Sequence, residues 1–446
     1  MRKKTKRYNQ LIAVNLIPKM KEFEQTPPQI IGFSISRVQY LISLILALKQ
    51  DDHPGAWSVL NMQYMENVVR YAGKYMIFLR DQKVIEYKNG YAGRNSRLYR
   101  LVNEGKTEYR AITDKKLIFR IEKNRQKIRL RNSKKYPALN EYIHRVGIDY
   151  QSALKTIEKT YRKNIIEGNK KAESRRTFSL SEIDKIQAGE IYIKVNPTNK
   201  RLDSNYTRLP GELVQHLTID GKPLTELDIR NSQPFFAACL FNPTPEILNI
   251  MNRVLGHRLT ILAISLQISE QKDVKLYRSL VTSGEFYEYM MNKFKENGIL
   301  FKDRQDFKEQ LFTIFFGEIS AKRFSKAVRL FAKEFPNVQI LFETIKRDQY
   351  NLLAILLQNI EAYVILDHVA QNILSELSGL PFITKHDSLL PAGILASDQP
   401  DKVKEIMLST IEKVTGLMPQ VRIKNEKMGN PCNSVILSNT SLFYNH

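Results

Sequence analysis

Apolar residues recur along this chain with two different periods, and the change from one to the other marks its elements. In residues 36–49, Val38, Leu41, Ile42, Ile45 and Leu48 fall on one side of a 3.6-residue repeat, which predicts an amphipathic helix. Residues 60–79 hold further helical pattern. Lys83-Val84-Ile85-Glu86-Tyr87 then alternates with period two and reads as a strand. Lys88-Asn89-Gly90 carries turn chemistry, and Ser96-Arg97-Leu98-Tyr99-Arg100-Leu101 reads as a second strand. Residues 138–186 return to a helical, charged pattern. Beyond residue 190 strand and helix patterns mix. The expected fold class is therefore α+β and mostly helical. Three regions are expected: a basic N-terminal domain over residues 1–110, a basic helical region over 111–189 and a larger C-terminal domain over 190–446.

Charge changes the picture first. The formal net charge is +23 and the pI is near 9.7, an excess that attracts polyanions, nucleic acid foremost and acidic membrane as the other class. The densest basic stretch contains Lys115, Lys116, Arg120, Lys123, Arg125, Lys127, Arg129 and Arg131, with Glu122 the only acid among them. Leu117, Ile118, Phe119, Ile121, Ile128 and Leu130 are interleaved, so the stretch reads as an ordered element with a phosphate-contacting face rather than a solvated tail. The helices and basic hairpin of the first hundred residues resemble a winged-helix nucleic-acid-binding head, and a small helical domain with a surface hairpin gives the same pattern. No apolar run approaches the roughly 18 residues that span a bilayer, so no membrane partner is expected. The basic start, Met1 to Arg7, lacks a following apolar segment and reads as no secretory signal. Cys239 and Cys432 are far apart without metal-type spacing, which fits reduced packing residues and a cytoplasmic location.

Three segments of the C-terminal region carry chemistry. Leu224-Thr225-Glu226-Leu227-Asp228 leads into Ile229-Arg230-Asn231-Ser232-Gln233-Pro234 and then an apolar run, which reads as strand, acidic tip, helix. A carboxylate at a strand end suits Mg²⁺, a hard ion that takes few carboxylates plus water and phosphate oxygens. Leu380-Pro381-Phe382-Ile383-Thr384 leads to Lys385-His386-Asp387-Ser388, a second acid on an expected hairpin. Two such carboxylates brought together would hold two metal ions. Between them in sequence, Arg304, Lys308, Phe312 and Phe316 recur every four residues along one helical face. Two cations and two rings there suit a nucleoside triphosphate; an amphipathic helix with both rings in the core has the same spacing.

Together, these residues resemble the family A DNA polymerases, the DNA polymerase I-like group. Arg304-x3-Lys308-x3-Phe312-x3-Phe316-Gly317 resembles the family's fingers motif. Asp228 with Ser232 and Gln233 resembles its first palm motif, and His386-Asp387 its second. Thr198-Asn199-Lys200-Arg201-Leu202-Asp203-Ser204 with Leu209-Pro210 resembles the segment ahead of the palm. Gln358 resembles a template-side glutamine. The resemblance covers roughly the last 250 residues, in the family's order. It implies a right-hand palm and fingers behind the N-terminal head. Asp228, Asp387 and the Ile229 carbonyl would hold two Mg²⁺ ions. Lys308 would bind the phosphates and protonate the leaving group, and Arg304 would clamp phosphate oxygens. Phe312, Phe316 and Gln233 would face the incoming nucleotide. His386, Arg201, Gln358 and the basic residues Lys123, Arg125, Lys127, Arg129 and Arg131 would contact the primer–template.

Three positions depart from the family. His386-Asp387-Ser388 stands where its DNA enzymes have His-Asp-Glu, and resembles the phage-type single-subunit RNA polymerases. Gln233 stands where a Glu walls off the ribose 2′-hydroxyl. Phe316 replaces a Tyr whose hydroxyl helps the RNA enzymes select ribose. No Asp-x-Glu exonuclease motif is found in a suitable context, so proofreading is not expected. The leading expectation is a minimal template-directed DNA polymerase of the kind carried by phages and mobile elements. An RNA polymerase or primase on the same fold is the second. A replication initiator or DNA-binding regulator with a non-catalytic polymerase-like domain is the third.

Overall fold

Period-two alternation after residue 83 is realised as the strand Ile85–Asn89, paired antiparallel with Ser96–Leu101, which pairs in turn with Ser58–Asn61. Lys88 and Asn89, expected in a turn, instead extend the strand to face Leu98 and Arg97. The computed structural model describes residues 9–48, 55–89, 96–133, 135–169, 171–189, 191–256, 258–301, 304–393 and 399–424, so Gly90 and Cys432 lie outside the described residues. The architecture is α+β, mostly helical, with small antiparallel sheets.

Two compact units divide the chain: Met1–Lys135 with Leu154–Tyr192, and Tyr136–Ala153 with Ile193–His446. In the first, the Ile35–Ala47 helix buries Val38, Leu41, Ile42 and Ile45 of the expected stripe, whereas Leu48, just past its end, is exposed. The helical pattern of residues 60–79 is two helices, Met62–Val68 and Ala72–Asp81, broken at Tyr71. The basic stretch is the helix Lys115–Ser133. The Asp114 carboxylate caps it, accepting from the Lys116 and Leu117 N–H groups at 2.8 and 3.0 Å. Leu117 and Ile121 anchor this helix in the core while Lys123 and Lys127 stay exposed. The side chains of Arg125, Arg129 and Arg131 lie outside the described residues. Of the 111–189 region, Lys115–Ser133 and Ala172–Gln187 belong to the first unit and Pro137–Ile143 to the second.

The second unit is built on a four-stranded antiparallel sheet in the order Phe382–Lys385, Ser388–Pro391, Glu226–Ile229, Val421–Lys424. Alternation along Glu226–Ile229 buries Leu227 and Ile229 and leaves Glu226 and Asp228 on the opposite face. Helices surround the sheet. Tyr277, Phe286, Phe315, Phe331, Phe335 and Phe342 pack edge-on and stacked in their core. The 25-residue helix Leu352–Glu376 reaches the length and mean apolarity of a membrane span, which no run of apolar letters announces. Inside the protein 67% of that window is buried, the behaviour of a core helix. A π-helical stretch, Tyr363–Val369, interrupts it. Cys239 is buried in this unit, and burial pushes its thiol up to about 12.

Candidate active site

The register of the sheet brings the two acidic motifs together. Asp228 pairs directly across from Ser388, and Asp387 is the residue before it, in the two-residue turn joining Phe382–Lys385 to Ser388–Pro391. Both aspartates line one cavity of about 400 Å³. His386 takes φ 56° in that turn, a left-handed conformation that costs a β-carbon residue roughly 1–3 kcal/mol. Asn231, just beyond the other strand, sits at φ 55°. Asn adopts that conformation more readily than most residues, so its turn carries little strain.

Burial raises the Asp387 carboxyl well above its ordinary range, and the charges of Asp228 and Glu361 raise it further; a Ser232 hydrogen bond opposes them. Like charges held this close destabilise the doubly ionised state, and a divalent cation between them removes that penalty. A pair of carboxylates is the kind of donor a hard divalent cation such as Mg²⁺ takes, together with water and phosphate oxygens. Asp228 is balanced in another way as well. Its carboxylate meets Lys424 at 3.3 Å and Arg422 at 3.4 Å, both from the strand Val421–Lys424. Ser388 donates its hydroxyl toward Asp228 Oδ1 and Glu226 Oε1, each at 3.1 Å, and Glu226 also holds Lys424 at 2.8 Å. Ser388 is thus a buried positioning residue for Asp228. Among the described residues, no group of three or more His, Cys, Asp or Glu side chains is placed to hold a metal ion, and the carboxylates at the cavity that the sequence singles out are the Asp228–Asp387 pair.

Another wall of the cavity comes from the Leu352–Glu376 helix. Glu361, 1% exposed, accepts from Arg201 Nη2 at 2.6 Å and from Gln233 Nε2 at 2.6 Å. Burial raises its carboxyl, and Arg201 and Gln233 pull it back. Asn199 Nδ2 donates to Gln358 Oε1 at 3.0 Å, and Asn359 Nδ2 donates to the Thr198 carbonyl at 2.9 Å. The 198–201 segment is thereby fastened to the helix that carries Gln358. Among the described residues, five buried polar atoms here have no hydrogen-bond partner: Arg201 Nε, Asn231 Nδ2, Gln233 Oε1, Glu361 Oε1 and His386 Nδ1. All five residues line the cavity. Orphans are few in native proteins, and this many around one cavity points to a polar ligand. Burial, with the charges of Arg201 and Lys385, lowers His386 to about 4, so it is neutral at physiological pH.

The Arg304–Phe316 helix divides its residues between the core and the cavity. Phe307, Leu311, Ile314 and Phe315 take the core, each at most 2% exposed. Lys308, Phe312 and Phe316 instead line the cavity, the two rings 5.6 Å apart and tilted by 47°. Lys308 Nζ lies 5.8 Å from the Tyr287 ring centroid. Arg304 opens the helix, and its side chain lies outside the described residues. One cavity therefore collects Asp228, Ile229, Gln233, Lys308, Phe312, Phe316, Gln358, Arg201, His386 and Asp387. Lys123 and Lys127 belong to the other compact unit. Sequence reasoning missed Glu226, Glu361, Arg422 and Lys424. Only Glu226 left a signal: two residues before Asp228, it must share its strand face.

No family model matches the chain, and no curated protein matches it. A solved structure described as the POL domain of Pol1 from M. smegmatis in complex with DNA primer-template and dNTP is similar to it at TM-score 0.33 and 14% identity. The match covers 56% of this chain and 51% of that one, so the chain spans about half the length of that structure.

Proposed function

We propose that the second unit is a template-directed nucleotidyl transferase, a DNA polymerase without proofreading, acting at the Asp228–Asp387 pair with a right-hand palm and fingers. One observation carries the reading: two mutually repelling aspartates, a lysine and two partly open rings meet in a single cavity from segments far apart in sequence. Asp228, Asp387 and the Ile229 carbonyl would hold two Mg²⁺ ions, which supply a primer hydroxyl of lowered pKa and neutralise the departing pyrophosphate. Lys308 binds the triphosphate and donates a proton to the leaving group, with Arg304 clamping phosphate oxygens. Phe312 and Phe316 pack on the incoming base and sugar, and Gln233 bounds the sugar. Arg201, Gln358 and neutral His386 contact the primer–template.

The first unit is the nucleic-acid-binding head in this reading. Its strand order, with Ser96–Leu101 central between Ser58–Asn61 and Ile85–Asn89, supports a winged-helix assignment, and Lys123 and Lys127 lie on its exposed basic helix. Phe316 and the bulk of Gln233 favour deoxynucleotides. A specific observation favours ribonucleotides as the second reading: among the described residues Gln233 Oε1 and Glu361 Oε1 are both acceptors without a donor, and a ribose 2′-hydroxyl supplies one. Primer extension with Mg²⁺, DNA and RNA primers, and separate dNTP and NTP pools tests both. The first reading expects dNTP-dependent extension; NTP-only synthesis selects the second, and no incorporation from either pool removes both.

A further inference from the structure

The first unit contains a cavity of its own, on the basic helix already read as part of a nucleic-acid-binding head. Its volume is about 720 Å³, and the Lys115–Ser133 helix forms part of its lining. Lys116, Arg120, Lys123 and Lys127 follow one another at intervals of four, three and four residues, which places them in one stripe along that helix about 16 Å long. Phe119 lies within the stripe, 63% exposed and stacked on no other ring among the described residues. Arg70, from a different element, lines the same cavity. No acidic side chain lines it, and none of these five cations forms an ion pair among the described residues. Concentrating that much like charge without neutralisation is unfavourable in the free protein, so the surface is built for an anion with many charges.

The turn beside it is held in a strained shape. Tyr71 takes φ 65°, with its own N–H and that of Gly73 both donated to the Glu66 carboxylate at 2.9 Å. Its ring lines the cavity with the Arg70 guanidinium 4.8 Å from its centroid. Backbone strain over-determined in this way collects at ligand sites.

We propose that this cavity binds single-stranded nucleic acid, with consecutive phosphates along the Lys116–Lys127 stripe and a base stacked on Phe119. A duplex or an anionic membrane needs the cations alone. The exposed ring set among them is what a strand with open base faces uses, and stacking of that kind tolerates any sequence. The inference rests on the reading of the first unit as a nucleic-acid-binding head and not on the activity of the second unit, so loss of oligothymidylate binding and loss of incorporation are separate outcomes.

Fluorescence anisotropy on the full chain tests it, using labelled oligothymidylate of about twenty nucleotides, a duplex of the same length and vesicles of anionic phospholipid as competitor. Phe119 is exposed, so its substitution leaves the core intact. Phe119→Ala is expected to weaken oligothymidylate binding about tenfold and to change duplex binding by no more than about twofold, with Phe119→Trp restoring the single-strand affinity. Lys116→Ala with Lys123→Ala is expected to reduce the slope of log affinity against log salt by about 1.4. Oligonucleotides carrying 5-iodouracil are expected to photocrosslink to the peptide containing Phe119. Unchanged oligothymidylate affinity in Phe119→Ala, a preference for duplex, displacement by the vesicles, or crosslinks confined to the second unit would each overturn the proposal.

Discussion

At the scale of single residues, the site is organised by charges that have no room to relax. Glu361 is nearly inaccessible and is the partner of both Arg201 and Gln233. Removing it leaves a guanidinium that is 16% exposed without its counter-charge and an amide without its acceptor. Glu361→Ala should therefore destabilise the protein by about 3–5 kcal/mol, the range for breaking a buried pair from one side. Urea unfolding monitored by circular dichroism measures this; a loss below about 1 kcal/mol would mean the contact contributes little. Ser388→Ala should lower the rate of any incorporation while leaving nucleotide affinity near wild type, because Ser388 touches Asp228 and not the cavity. Single-turnover rates at several nucleotide concentrations separate the two effects. That Asp228, Asp387, Lys308, Phe312 and Phe316 meet was expected from the resemblance of their segments to palm and fingers motifs, not from strand and helix periods. Glu361, Arg422 and Lys424 were not expected. Glu361 and Gln233 lie 128 residues apart, Arg422 and Asp228 194 apart, and Lys424 pairs still further back with Glu226; no local period reports a pairing set by tertiary register.

At the scale of elements, the Arg304–Phe316 helix is held at its C-terminal end by one buried cation. Lys346, 5% exposed, donates to the Ile314 carbonyl at 2.6 Å and the Gly317 carbonyl at 3.0 Å. These are the unpaired acceptors at a helix end, where a positive charge is favoured. Gly317 is needed beside it, because a β-carbon there would stand 2.5 Å from the Thr313 carbonyl oxygen. Burial lowers Lys346 to about 8, partly offset by Glu343. The folded state therefore gives up this proton at lower pH than the unfolded chain, which keeps it to about 10.4. Between those values the unfolded state binds more protons, so this group makes stability rise with pH, by up to about 3 kcal/mol. The stability difference between wild type and Lys346→Met should shift in favour of wild type from pH 8 to pH 10; a difference that stays flat would show that Lys346 is not depressed. The helix itself was readable from its four-residue repeat. Which rings entered the core was not, since Phe307 and Phe315 differ from Phe312 and Phe316 only in their phase around it.

For the whole molecule, the +23 charge sets expectations that no single site does. Affinity for nucleic acid should fall steeply with salt, with a log–log slope of magnitude above about 3, since each phosphate neutralised on a single strand contributes about 0.7. A shallow slope would mean the basic face is not the binding surface. The α+β, mostly helical class was legible from the pattern, and so was the head's helix-then-hairpin order. The boundaries were less so: the region expected over 111–189 contributes helices to both compact units, because contiguity in sequence does not dictate which core a helix joins. The Leu352–Glu376 helix shows the same limit. Its apolarity belongs to burial in the second unit, where it carries Gln358 and Glu361 to the cavity.

The central claim is that Asp228 and Asp387 together transfer nucleotides, and single-turnover incorporation on a primed template in Mg²⁺ tests it most directly. Wild type and Asp387→Asn, matched for folding by thermal unfolding, are compared at saturating nucleotide. The account predicts incorporation by wild type and a loss of about a thousandfold or more in the variant, the order expected when a group stabilising transition-state charge is removed. Equal rates in the two proteins, or no metal-dependent incorporation by wild type, would contradict it.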